Sequence, residues 1–147
     1  MNQSGRCQCG KVNYCFNKED VISAHHCHCK DCQRSTGCGK STIIYVPHKK
    51  LKIDGEIKFY EKKGSMGTTI RRGFCENCGS GLISYAKELP MLRFIKAGTL
   101  DDNSWLTINS SFFTKSASEW NMPDKDIKSF QGNPDILSNI KNVIKSL

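Results

Sequence analysis

The sequence predicts a single, mainly β domain that ends in a short amphipathic helix. Short runs rich in β-branched and aromatic residues, separated by turn residues, fill about the first 115 positions. No Gly/Ser/Pro-rich linker, repeat or low-complexity segment interrupts them. The end of the chain has helical spacing instead. We therefore expect one domain over residues 1–132, with a helix over 133–147 packed on it.

The strands can be placed by the alternation of apolar and polar residues. "KVNYCF" puts Val12, Tyr14 and Phe16 on one face, and "STIIYVP" is typical of a more buried strand. In "LKIDGEIKFY" apolar residues alternate on both sides of Asp54 and Gly55, which predicts a hairpin with a two-residue turn. Further strand candidates are "TTIRRGF", "GLISYA", "MLRFIKAG" and "WLTINSSFF".

The predicted helix lies in "NPDILSNIKNVIKSL", where Asn133 can cap and Pro134 suits the first helical position. Its apolar stripe consists of Ile136, Leu137, Ile140, Val143, Ile144 and Leu147. Such a stripe usually packs on the parent domain. A homodimer contact is the alternative.

Charge and composition narrow the classes of partner. The chain has 22 Lys and Arg against 14 Asp and Glu, a net charge of +8 that favours anionic partners. The lysines are scattered and not interleaved with aromatic residues, so a small anionic substrate is favoured over nucleic acid. No apolar run is long enough for a membrane span or a signal peptide. We expect a cytoplasmic protein that does not bind membranes.

Nine cysteines in a reducing compartment favour metal binding over disulfides. Two pairs of cysteines are each followed by a glycine: the pair Cys7 and Cys9 by Gly10, and the pair Cys75 and Cys78 by Gly79. Four thiolates at about 2.3 Å complete a closed, tetrahedral zinc site, which predicts a structural role. Buried or redox-active cysteine pairs are the alternative for either half alone.

A second group of thiols lies in "HHCHCKDCQRSTG", residues 25–37. Cys27, Cys29 and Cys32 can give three sulfurs to one ion, and the fourth ligand is not evident from the sequence. Water or substrate in that position would make the site catalytic. Cys38, or one of the three histidines of this segment, would close the site and make it structural.

The motifs that carry a family resemblance run along nearly the whole chain. They are "GRCQCGKVNY", "CHCKDCQRSTG", "RRGFCENCGS", "KAGTLDD" and the tryptophan of "SASEWNMP". In this order and approximate spacing, the chain resembles the glutathione-dependent formaldehyde-activating enzymes and the related centromere-protein-V domain. The resemblance implies the β-tent (Mss-four-like) fold, in which zinc holds together several coiled antiparallel sheets.

The resemblance also implies two zinc ions per chain. Cys7, Cys9, Cys75 and Cys78 would bind the structural zinc, and Cys27, Cys29 and Cys32 the catalytic one. The implied reaction joins glutathione, as co-substrate, to formaldehyde and gives S-(hydroxymethyl)glutathione, a carbon–sulfur lyase reaction in reverse.

Cations near the loop are candidates to hold the carboxylates of glutathione. We expect this contact at Arg34, beside the loop, and interpret Lys30, Arg71 and Arg72 as solvated surface charges. The alternatives to an enzyme are a zinc-stabilised binding module for a polyanion or protein, and a glutathione carrier without catalysis.

Overall fold

The computed structural model describes residues 1–64 and 67–133. Within these ranges the chain is mainly β, as predicted, with eleven strands and one α-helix. The strands are β1 (Gln3–Arg6), β2 (Asn13–Phe16), β3 (Ser23–Cys27), β4 (Ser41–Pro47), β5 (Lys52–Asp54), β6 (Ile57–Lys63), β7 (Thr69–Cys75), β8 (Gly81–Ala86), β9 (Leu92–Lys96), β10 (Ser110–Phe112) and β11 (Lys128–Ser129). The helix α1 is Lys30–Thr36, and short 3₁₀ turns are Lys18–Asp20, His48–Lys50, Ala97–Thr99, Thr114–Ser116 and Glu119–Asn121.

The strands form two sheets. The small sheet has the order β1-β2-β5, and the large sheet has the order β11-β10-β3-β4-β9-β8-β7-β6. All pairs are antiparallel except those of β10 with β3 and with β11. Neither parallel pair is joined by a tight turn, so long connections can bring these strands in with the same direction.

The main core lies between the small sheet and one face of the large sheet. Val12, Tyr14 and Phe16 are at most 3% exposed, which confirms the alternation predicted for β2. They pack in one cluster with residues of the large sheet that include Ile44 and Ile95, each 0% exposed. Ile95 is the cross-strand partner of Ile44, so an apolar row crosses the sheet at this level.

A second apolar cluster covers the opposite face of the large sheet. It contains Cys27, Tyr45, Leu92 and Phe112. Because neighbouring residues of a strand point to opposite faces, each central strand serves both clusters. Ile44 packs in the main core, for example, while Tyr45 packs in the second cluster. The large sheet therefore has a core face and a second face that carries the loop thiols.

The predicted hairpin at Asp54 and Gly55 is wrong. Gly55 makes a turn with φ +98°, but β5 pairs with β2 in the small sheet and β6 pairs with β7 in the large sheet. The turn carries the chain from one sheet to the other, and a Cβ at Gly55 would lie 2.2 Å from the Lys11 carbonyl oxygen. Local alternation identified the strands and the turn, but strand pairing depends on distant residues.

The helix predicted over 133–147 lies, apart from Asn133, outside the described residues. The sequence did not predict α1, which contains Cys32 and is capped at its C-terminal end by Gly37 in the left-handed conformation, φ +70°. In the ranges that the structure describes, no helix has the length and apolar character needed to cross a membrane.

Candidate functional site

One set of four thiols lies where the small sheet contacts the large sheet. Cys7 and Cys9 lie in the connection between β1 and β2, Cys75 ends β7, and Cys78 lies in the turn that follows. The four sulfur atoms all lie within 4.8 Å of one another. The Cys7–Cys9 and Cys9–Cys75 sulfur distances are 3.6 Å and 3.7 Å. Sulfurs bound tetrahedrally at about 2.3 Å would be about 3.8 Å apart, so this set fits a zinc ion.

The backbone around these thiols has the same form in both halves. Gly10 and Gly79, each after a second cysteine, have φ +79°, a conformation that strongly favours glycine. The Gly10 N–H donates to the Cys7 carbonyl at 3.1 Å, and the Gly79 N–H donates to the Cys75 carbonyl at 2.7 Å. The matched glycines seen in the sequence thus have a physical reason, since each allows a tight turn that brings two sulfurs together.

Hydrogen bonds to two of these sulfurs, those of Cys7 and Cys78, favour their thiolate forms and lower their pKa. The Val12 N–H donates to Cys7 Sγ at 3.3 Å, and Ser80 Oγ lies 3.2 Å from Cys78 Sγ. The hydrogen bond with Ser80 is the main reason that the pKa of Cys78 is lowered to about 5. A thiolate at neutral pH is ready to bind a metal ion.

The second set of thiols lies at the junction of β3 and α1. Cys27 is the last residue of β3, Cys29 is the N-cap of α1, and Cys32 lies in the first turn of the helix. The Cys32 N–H donates to Cys29 Sγ at 3.3 Å. The three sulfurs lie within 4.8 Å of one another. A strand end and a helix start therefore bring together ligands that are close in sequence.

The polar environment shows how this cluster holds negative charge. Hydrogen bonds from Cys27 and Cys29 lower the pKa of Cys32 to about 3, and the positive charges of Lys96 and Arg72 act in the same direction. Hydrogen bonding to the neighbouring sulfurs and burial raise the pKa of Cys27. Three soft sulfur ligands around one point, one of which favours the thiolate form, also fit zinc.

The described residues supply no fourth cysteine, histidine or acidic ligand to this cluster. Cys38, the main candidate from the sequence, is exposed and lies beyond the end of α1, where its N–H donates to Thr36 Oγ1 at 3.1 Å. The chain has passed through the left-handed Gly37 before it reaches Cys38. The structure thus brings together Cys27, Cys29 and Cys32 and leaves Cys38 outside.

Two of the three nearby histidines have other partners. Ser110 Oγ and Ser23 Oγ lie 2.7 Å and 2.8 Å from the two ring nitrogens of His25, which also stacks on Phe112 at 4.2 Å. His26 Nδ1 lies 2.8 Å from Thr42 Oγ1. Each is buried, and burial is the main reason that both have a pKa lowered to about 4. Their contacts give them a role in fixing β3 against its neighbours.

A pocket of about 400 Å³ opens on the three loop sulfurs. Its wall on the large sheet consists of alternate residues from several strands, so one face of the sheet provides it. Most of the lining is apolar, including Ile43, Tyr45, Ile70, Leu92, Phe94 and Phe112. The volume is that of a site for a small organic molecule.

Three cations line the pocket: Lys30, Arg72 and Lys96. Arg34, expected to contact glutathione, is exposed on α1 and is absent from the lining. Arg72, interpreted from the sequence as a surface charge, lies on the pocket wall. The side chain of Lys96 donates to Ser41 Oγ at 2.7 Å, and burial lowers its pKa.

Lys96 and Ser84 are pocket residues that the sequence reasoning missed. Arg72, Ser84 and Lys96 lie on β7, β8 and β9, all three of which the sequence predicted. A polar residue in an otherwise apolar strand was the available signal. This signal does not identify a pocket residue, because a polar residue that faces solvent gives the same sequence pattern.

Comparisons with known proteins agree with the motifs. Residues 2–116 match the family model described as "Glutathione-dependent formaldehyde-activating enzyme", and both sets of thiols lie in this range. A solved crystal structure of a Rhodobacter sphaeroides protein superposes with a TM-score of 0.51 at 20% sequence identity. The similarity covers 67% of this chain and 87% of that one, and it concerns the fold alone. A search of curated proteins gives no match.

Proposed function

Because this chain belongs to the glutathione-dependent formaldehyde-activating enzyme family, we propose that it is a zinc-dependent enzyme acting on a thiol and an aldehyde. In the proposed reaction the sulfur of glutathione bonds to the carbon of formaldehyde, and the carbonyl oxygen receives the proton that the thiol loses. The product is S-(hydroxymethyl)glutathione, and the reverse reaction breaks the same carbon–sulfur bond. A related thiol adduct is the alternative substrate.

One observation carries this proposal. The sulfurs of Cys27, Cys29 and Cys32 line a pocket of about 400 Å³, and the described residues contribute no fourth ligand to them. A zinc ion held there would offer an open coordination position for a thiol and would favour its ionised form. The four-thiol set at Cys7 would hold the other zinc in a closed, structural site.

The charges of the pocket support binding of an ionised thiol. Three thiolates around Zn²⁺ give a net charge of about −1, and a fourth thiolate raises the negative charge to about −2. Lys96 and Arg72 bring two positive charges to the same cluster, where both stabilise the Cys32 thiolate. In a poorly solvated pocket such compensation favours the thiolate over the neutral thiol.

A second candidate function, a glutathione carrier without catalysis, is favoured by a different observation. In the described part of the pocket lining there is no histidine, and the one carboxylate is Asp31. Asp31 is paired with Lys62 at 2.5 Å. A general acid–base catalyst usually needs a free group that titrates near the working pH. The lining therefore supports binding of the thiol more directly than proton transfer.

The deciding experiment measures zinc, binding and turnover on the full chain. We expect two zinc ions per chain by mass spectrometry and formation of S-(hydroxymethyl)glutathione, followed by NMR, faster than the spontaneous reaction. In the cobalt-substituted protein, added glutathione should change the thiolate-to-cobalt absorption. Cys15→Ser is the matched control, since Cys15 lies on β2 and belongs to neither thiol set.

The outcomes separate the two functions. A rate enhancement that is lost in Cys29→Ser and kept in Cys15→Ser supports the enzyme. A spectral change without any rate enhancement supports the carrier. If a protein that holds both zinc ions shows no rate enhancement and no spectral change, the enzyme and the carrier are both overturned. A zinc-stabilised binding module is then the remaining function. Salt-dependent binding to DNA, which we do not expect from the scattered lysines, would then identify a polyanion as its partner.

A further inference from the structure

Ser84 is a buried polar group on the pocket wall that has no partner. It is 6% exposed, and its hydroxyl makes no hydrogen bond within the described residues. A buried hydroxyl without a partner destabilises the folded chain, because it has lost its hydrogen bonds to water. Since Ser84 lines the pocket, a ligand in the pocket can provide the missing hydrogen bond.

Arg72 lies directly across from Ser84 in the β7–β8 pair. Its neighbour Arg71, on the other face of β7, is held by Glu61 at 3.6 Å and donates to Tyr85 Oη at 2.7 Å. Arg72 has no such carboxylate or hydroxyl partner among the residues described. Its guanidinium donors are thus available to the pocket.

Lys96 completes a row of donors over three adjacent strands. Ser84 pairs with Phe94 of β9, and Lys96 lies two residues further along that strand, on the same face. Two cations and a hydroxyl therefore meet on one wall, and Asp31, the carboxylate of the described lining, already has Lys62 as its partner. Arg72 can bind both oxygens of a carboxylate, while the hydroxyl donates a further hydrogen bond.

The remainder of the wall is apolar, with Tyr45 and Phe94 in ring contact at 4.6 Å. We propose that Arg72, Ser84 and Lys96 form a carboxylate-binding subsite, and that the pocket takes a thiol whose body between sulfur and carboxylate is apolar. The placement of the sulfur at the loop cysteines rests on the proposed function, and the apolar body selects the alternative substrate of that function, a related thiol, over glutathione. The carboxylate subsite rests on the wall residues alone.

The subsite can be tested without a thiol. We expect the zinc-loaded full chain to bind 3-phenylpropionate at least about 10-fold more tightly than the isosteric 3-phenylpropanamide, measured by titration calorimetry. Arg72→Gln should abolish this preference, and Ser84→Ala should weaken binding of the acid more than binding of the amide. A thermal melt checks that each variant is folded. If Arg72→Gln does not fold, Ser84→Ala still tests the subsite.

The chain offers a matched control for each variant. Arg71→Gln removes a charge from the adjacent residue on the opposite face of β7. Ser111→Ala removes a buried hydroxyl that is also without a partner but lies away from the pocket. Both controls should retain the preference for the acid. Equal binding of acid and amide by the unmodified protein, or loss of the preference in the controls alone, would overturn the subsite.

A second titration tests the apolar body of the thiol. We expect 6-mercaptohexanoate to bind at least about 10-fold more tightly than glutathione, whose peptide groups would lose hydrogen bonds to water against an apolar wall. Tighter binding of glutathione would overturn this part. Failure of the proposed function is distinct: acid preference without turnover leaves the subsite in place, whereas turnover without acid preference rejects the subsite only.

Discussion

Replacement of Cys78 by serine should remove most of the stability of the domain. Cys78 is one of four sulfurs that lie within 4.8 Å of one another and connect the β1–β2 turn to the end of β7. Serine has nearly the same shape but is a poor zinc ligand, so the variant isolates the loss of metal binding from the loss of packing. The expected result is loss of one zinc ion and a large fall in the free energy of unfolding.

The magnitude follows from the length of chain that this site closes. Cys9 and Cys75 are 66 residues apart, and a cross-link over such a loop removes about 4 kcal/mol of chain entropy from the unfolded state. Structural zinc sites contribute on the order of 10 kcal/mol in total, while whole domains are stable by about 5–15 kcal/mol. We expect Cys78→Ser to cost at least about 4 kcal/mol.

Urea unfolding followed by circular dichroism, together with zinc counting by mass spectrometry, provides the assay. Cys15→Ser serves as the control, because this half-buried cysteine lies on β2 outside both thiol sets. It should keep both zinc ions and change stability by less than about 1 kcal/mol. If Cys78→Ser also kept both zinc ions, or unfolded within about 1 kcal/mol of the unmodified protein, the structural role of this site would be refuted.

Three further substitutions test other parts of the structure. Cys29→Ser should release the loop zinc yet leave a cooperatively folding domain. Serine can still cap α1, and the loop ligands close only a short segment of chain. Zinc content and the midpoint of urea unfolding check this. Ile95→Ala, at a position that is 0% exposed, should cost about 2–5 kcal/mol in urea unfolding, with zinc content unchanged. Gly73→Ala should cost about 1–3 kcal/mol or more in a thermal melt, because the added Cβ would meet the Ile83 carbonyl oxygen at 2.3 Å; a stability equal to that of the unmodified protein would contradict this.

The four-thiol set could be recognised in the sequence because its features are local. Each half consists of two cysteines and a glycine, and the φ of +79° at both Gly10 and Gly79 shows why glycine belongs there. The alternation of Val12, Tyr14 and Phe16 is local too, since the pleat of a strand fixes which residues share a face. The structure shows in addition that the two halves, which are far apart in sequence, lie next to each other.

Other features depend on contacts between distant parts of the chain. The turn at Gly55 is visible in the sequence, but the separation of β5 and β6 into different sheets depends on β2 and β7. The helix α1 has seven residues and is capped by the cysteine Cys29, which gives a weak helical signal. Arg72, Ser84 and Lys96 come to the pocket wall from three different strands, so no single motif contains them.

The two faces of the large sheet have a consequence for protein engineering. Because alternate residues of β7, β8 and β9 face the pocket while those between them face the core side, ligand preference can be varied with little effect on the main core. A library over the pocket side alone would sample new ligands on an intact scaffold. Its positions are Ile70, Arg72, Ser84, Ala86, Leu92, Phe94 and Lys96.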